Sequence, residues 1–130
     1  MPSFAGVSHV DLTVRDVQAS AEWYRTVFGM QTLFETTEDV RSAVVLFDPD
    51  SKVAICVGSH VANQGEPFDE ARTGLDHLSL RVRTRDELEE WAAHLDALGV
   101  EHSPIADADY GSVLVFRDPD NIQLELFVNP

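Results

Sequence analysis

Among the histidines and acids of the sequence, His9, His77 and Glu125 make a set able to hold a divalent metal. Imidazole nitrogen and carboxylate oxygen suit Fe, Mn, Zn, Ni or Co, and three protein ligands leave positions open for water or substrate. Such an ion acts as a Lewis acid, gripping two neighbouring oxygens of a small molecule and stabilising an enolate or similar oxyanion. Proton transfer needs a base close by. Asp11, two residues after His9, is the first choice, and Glu125 serves instead if it leaves the metal during turnover.

A lone histidine on a strand is more often a core or surface residue than a ligand. These two stand out because they occupy the same place in an internal duplication. The run Gly6-Val-Ser-His9-Val-Asp-Leu-Thr-Val14 matches Gly74-Leu-Asp-His77-Leu-Ser-Leu-Arg-Val82 at an offset of 68 residues (His9 to His77). Trp23 and Trp91 keep that offset, each within a stretch of helical apolar spacing: Ser20, Trp23, Tyr24 and Val27, then Leu88, Trp91, Ala92, Leu95 and Leu98. Asp16 caps the first helix, Thr84 with Glu87 suits a capping box on the second, and Gly29 and Gly99 stand at the C-terminal ends. Asp48-Pro49-Asp50 then matches Asp118-Pro119-Asp120 at an offset of 70 (Asp48 to Asp118), with turn chemistry in both places.

The remaining spans read as strands: 31–36, 42–47 and 53–57 in the first copy, 100–105, 112–116 and 123–127 in the second. The order strand, helix, strand, strand, strand occurs twice, which predicts an α+β fold of two βαβββ modules forming a curved mixed sheet around a cleft. One domain is expected, with modules at about 5–58 and 74–130 and a connector at 59–73 that reads as a surface loop, or as a lid over the cleft.

Strand alternation assigns the faces. Val10, Leu12 and Val14, and likewise Leu78, Leu80 and Val82, form apolar faces for the helices, leaving His9, Asp11 and Thr13 with His77, Ser79 and Arg81 on the opposite side. In the last strand Ile122, Leu124 and Leu126 oppose Gln123, Glu125 and Phe127. A buried carboxylate without a partner is costly, so Glu125 in an apolar run calls for a cation or hydrogen bonds. Arg81 has the planar fork to receive a carboxylate or phenolate, although an ion pair with Asp11 is the competing reading. Tyr110, beside Gly111, is a rim hydrogen-bond donor or an ordinary turn tyrosine. His60, His94 and His102 read as surface or loop residues.

With 23 acidic and 9 basic residues the net charge is −14, which repels phosphate backbones and anionic membranes; neither nucleic acid nor membrane is an expected partner. Nothing approaches the roughly 18 apolar residues of a membrane span or the pattern of a signal peptide, so a cytoplasmic location is the expectation. Cys56 is the single cysteine; it reads as a small buried hydrophobe and excludes an intrachain disulfide.

The duplicated segments His9-Val-Asp-Leu-Thr-Val and His77-Leu-Ser-Leu-Arg-Val, with Phe116-Arg-Asp-Pro-Asp-Asn-Ile-Gln-Leu-Glu-Leu-Phe127, resemble the vicinal oxygen chelate superfamily over nearly the whole chain. That superfamily includes glyoxalase I, extradiol dioxygenases, methylmalonyl-CoA epimerase, and fosfomycin and bleomycin resistance proteins. The resemblance implies metal ligands from the first and last strands of each module, hence His9, His77 and Glu125. At the offset of 70 the fourth position is Ile55, which cannot bind metal, and this argues against glyoxalase I activity. The resemblance is thus to a metal-dependent isomerase, lyase or dioxygenase acting on a small oxygenated molecule. The alternative is a metal-free protein that sequesters a small molecule or antibiotic, with Val53, Ile55, Val57 and Phe127 as apolar wall. Family members often dimerise, so a homodimer is expected.

Overall fold

Each copy of the repeat folds as its own compact unit, 1–66 and 67–130, in a computed structural model that describes all 130 residues. The first unit contains β1 (Val10–Thr13), α1 (Val17–Phe28), β2 (Gln31–Thr37), β3 (Arg41–Phe47) and β4 (Ala54–His60). The second contains β5 (Leu78–Arg81), α2 (Arg85–Leu98), β6 (Ala106–Ala108), β7 (Gly111–Arg117) and β8 (Gln123–Val128). The βαβββ order is therefore realised twice, as two four-stranded mixed sheets of order β1-β4-β3-β2 and β5-β8-β7-β6. In each, the first and last strands of the unit run parallel at one side, and the other pairs are antiparallel.

The helices begin and end where local chemistry requires. The Asp16 carboxylate accepts from Ala19 N and the Thr84 hydroxyl from Glu87 N, satisfying amides that have no partner within the first turn. Gly29 (φ 67°) and Gly99 (φ 69°) close the helices in the left-handed conformation. Each helix covers one face of its own sheet. Tyr24 and Val27 of α1 are buried with Leu12, Val44, Leu46, Ile55 and Val57, and Leu88 and Leu95 of α2 are buried with Leu114, Phe116, Leu124 and Leu126. Trp23 is only half-buried and packs edge-on against Tyr24.

The turns between the last two strands of each unit differ by one residue, and that difference reorders a face. Phe47 pairs with Ala54 across residues 48–53, whereas Arg117 pairs with Gln123 across residues 118–122. In the first turn Lys52 N reaches back four residues to Asp48 O; in the second Asn121 N reaches back three to Asp118 O. Lys52 (φ 64°) and Asn121 (φ 68°) take the same left-handed place, so the offset from there onward is 69 (Lys52 to Asn121), not 70. Because side chains alternate along a strand, a slip of one residue exchanges the two faces.

The span 100–105 is not a strand. Pro104 lacks the N–H that a ladder needs, and only a single bridge, His102 to Phe116, forms there; β6 comes later and is three residues long. His9 and His77 each stand immediately before, not within, their strands.

The connector is pinned rather than free-swinging at its second half. Phe68 N donates to Asp120 O, Asn121 Nδ2 donates to Phe68 O, and Arg117 binds Glu70 through Nη1–Oε2 (2.9 Å) and Nη2–Oε1 (2.7 Å). The hydrogen bonds from Arg117 hold the Glu70 carboxyl down at about 2, from an ordinary 4.5. A carboxyl held low stabilises the fold above its unfolded value and loses that contribution as pH falls through its folded value. The difference in unfolding midpoint between wild type and Glu70→Gln in urea is therefore expected to be constant above about pH 4.5, to shrink below it and to vanish near pH 2. A difference independent of pH over that range contradicts the pairing.

Candidate metal centre

Parallel pairing of β5 with β8 puts Ser79 opposite Glu125 and carries His77, two residues back on the same face, to the same carboxylate. His77 Nε2 lies 3.4 Å from Glu125 Oε2, and the other ring nitrogen, Nδ1, lies 2.7 Å from Asp76 Oδ1. With hydrogen on Nδ1 the ring meets the Asp76 carboxylate and turns Nε2 toward Glu125. An imidazole nitrogen and a carboxylate oxygen side by side suit a divalent ion, and an imidazolium N–H would fill the same gap. The side chains are 37% (His77) and 17% (Glu125) exposed, open enough for exchange yet shielded enough to strengthen the interaction. The donor set of the second unit therefore fits a divalent ion.

The first unit offers something different. His9, exposed, has Nδ1 3.2 Å from Ser8 Oγ. Register pairs Asp11 with Cys56 as Ser79 pairs with Glu125, so the residue in the place of Glu125 is Cys56, and Ile55 is its neighbour on the other face. The assignment of Ile55 to that position is thereby corrected; it lies wholly buried, on the α1 side with Val57. The one-residue longer turn is the cause. Ile55 and Val57 accordingly belong to the core rather than to a ligand wall.

Cys56 is buried, and burial pushes its thiol up, although the hydrogen bond from Arg41 opposes this. Arg41, at the start of β3, reaches across Gly58 so that Nη2 donates to both oxygens of Asp11 (2.5 and 2.7 Å) and lies 3.7 Å from Cys56 Sγ. The thiol contact and Asp11 raise the arginine above its ordinary value, burial acting against them. The ion pair expected for Asp11 thus forms with Arg41, not Arg81, because Arg41 lies on the same face of the same sheet. Sequence reasoning missed Arg41, whose signal was Gly58, where a Cβ would overlap the guanidinium; Cys56 is buried, as the sequence reading expected.

In the second unit the large and small residues are exchanged. Gly111 leaves the space that the Phe127 ring fills, and Tyr110, 70% exposed, stacks on that ring at 6.5 Å and 6°. Ser79 and Arg81 are exposed on β5, and Thr13 is exposed on β1 opposite Gly58. His60 and His94 are exposed, while His102 bonds to Asp96 and to Ser103 O, a structural role. Within either unit taken alone, no three His, Cys, Asp or Glu side chains gather as a ligand group. The second unit brings together two of the three expected ligands, His77 and Glu125.

The Glyoxalase/Bleomycin resistance protein/Dioxygenase superfamily profile matches residues 6–126. The chain belongs to that superfamily. The resemblance read from the duplicated segments and the Asp-Pro-Asp turn is borne out, as is the α+β fold. Among curated proteins, MhqA of Bacillus subtilis (strain 168), assigned as a ring-cleaving dioxygenase, is 26% identical over 125 residues; the match spans 95% of this chain and 40% of that protein. Among solved structures, a glyoxylase/bleomycin resistance protein/dioxygenase domain from Frankia sp. EAN1pec has a TM-score of 0.91 at 35% identity, covering 98% of this chain and 100% of that one. The fosfomycin resistance protein FosX from Listeria monocytogenes, solved with Mn(II) and sulfate, shares the fold, with a TM-score of 0.70 at 20% identity over 98% of this chain and 95% of that one.

The Arg41 arrangement makes a specific demand on Gly58. Gly58→Ala is expected to cost about 1–3 kcal/mol by overpacking, and far less in an Arg41→Ala background, where the guanidinium is gone. Urea unfolding of the four proteins of this double-mutant cycle measures the coupling; equal costs in both backgrounds contradict the packing described.

Proposed function

We propose that this superfamily member is a divalent-metal-dependent enzyme that acts on a small oxygenated molecule, as an isomerase, lyase or dioxygenase. The observation that carries the reading is His77 Nε2 standing 3.4 Å from Glu125 Oε2, an imidazole nitrogen and a carboxylate oxygen placed side by side as a pair of metal donors. His9 of the first unit is the third ligand in this reading, supplied by the same chain or by a second copy. The ring-cleaving assignment of MhqA and the Mn(II) in FosX are consistent with metal chemistry in the superfamily.

When bound, the ion supplies a Lewis acid for two adjacent oxygens of the substrate. The chain's own groups do the rest. Asp11 gives both oxygens to Arg41, which suits it to anchoring that guanidinium. Proton acceptance then falls to Glu125, whose carboxylate stands beside His77 and would serve as base on leaving the ion. Ser79, Arg81 and Thr13 offer hydrogen bonds and charge to substrate oxygens, and the stacked Tyr110 and Phe127 offer an apolar wall with a phenol at its edge.

Metal analysis of protein purified without chelator tests the reading. One ion per site is expected in the wild type and a loss to background in His77→Ala. Metal-free protein in both cases contradicts it and favours a binding protein that sequesters its ligand. A homodimer is part of the same proposal, and sedimentation at micromolar concentration is expected to give twice the chain mass of 14.4 kDa; a monomer contradicts it.

A further inference from the structure

We infer that Asp76 is a positioning residue for His77: it selects the ring tautomer that leaves Nε2 free to bind. The inference rests on the reading of His77 as a ligand, but its first test does not involve metal. A free neutral imidazole can carry its hydrogen on either nitrogen, and only one tautomer offers Nε2 as a lone pair. The 2.7 Å contact between Nδ1 and Asp76 Oδ1 rewards the form with hydrogen on Nδ1. Carboxylates that hold the far nitrogen of a ligating histidine fix its orientation and raise its basicity.

Asp76 is itself held. Gln123 Nε2 stands 3.4 Å from the same Oδ1, and Gln123 Oε1 accepts from Arg117 Nη2 at 2.8 Å. Arg117 is fastened to Glu70 of the connector by its two charge-assisted bonds. A line of polar contacts thus runs from Glu70 through Arg117, Gln123 and Asp76 to the ring, then on to Glu125. Every link lies in the second unit. Gln123 and Glu125 share one face of β8, with His77 on the same side of the parallel neighbour, so the network follows from strand alternation. The first unit has no match for it: Ser8 stands where Asp76 does (offset 68, Ser8 to Asp76), and a hydroxyl can donate as well as accept. The tautomer is therefore fixed at His77 and left open at His9.

Long-range 1H–15N correlation spectra of metal-free protein, recorded with the rings neutral, read the tautomer directly. His77 is expected with hydrogen on Nδ1 in the wild type, with hydrogen mainly on Nε2 in Asp76→Ala, and in between in Asp76→Asn, which keeps a carbonyl acceptor. Mn(II) titration of the same proteins is expected to show an affinity about 10–100-fold lower for Asp76→Ala, partly restored in Asp76→Asn. Hydrogen on Nε2 in the wild type, an unchanged tautomer in Asp76→Ala, or a changed tautomer with unchanged Mn(II) affinity each overturns the inference. Mn(II) binding that survives His77→Ala overturns the ligand reading instead, and the tautomer result then stands by itself.

Discussion

The arrangement depends on one constraint: in each unit the first and last strands run parallel and in fixed register, because one face of both must be buried under a helix. Leu78 pairs with Leu124 and Leu80 with Leu126 on the buried side, and the alternation then leaves no choice about Ser79 and Glu125 on the other. Shifting β8 by one residue would drive a carboxylate into the core at a cost of several kcal/mol. The apolar face thus specifies where the polar face presents its chemistry, and His77 meets Glu125 as a consequence of packing that neither residue takes part in.

The two units use this constraint to different ends. In the second it delivers an imidazole, a carboxylate and a line of polar support. In the first, the same register delivers Asp11 and Cys56, and the guanidinium of Arg41 is the cation that lies against them. A duplicated frame has kept its backbone while one copy carries a fixed organic cation beside the position where the other has the donors for an inorganic one. The exchange of Arg41 over Gly58 for Phe127 over Gly111 follows the same pattern, with one large side chain and one glycine per unit but on opposite strands.

Much of this was legible in the residues. The duplication, the helix caps, the order of elements and the face that carries His77 and Glu125 all follow from periodicity and from the matched segments. What was not legible has a common cause. The offset was carried unchanged through the Asp-Pro-Asp turns, yet whether a turn closes over three residues or four depends on its backbone bonds, here Lys52 to Asp48 against Asn121 to Asp118. One residue was enough to exchange Ile55 for Cys56. The Arg41–Asp11 pair was hidden for another reason: it joins residues 30 apart in sequence, across a glycine whose only mark in the sequence is the absence of a side chain. The strand expected at 100–105 failed at Pro104, where the apolar pattern outweighed the missing donor.

We propose that His9, His77 and Glu125 together hold a single ion. Pulsed electron paramagnetic resonance of protein loaded with one equivalent of Cu(II) or Mn(II) counts the coordinated imidazoles through their nitrogen couplings. Two are predicted in the wild type and none in His77→Ala, which no longer retains the ion. A wild-type spectrum with fewer than two coordinated imidazoles, or an imidazole coupling that persists in His77→Ala, would contradict the account.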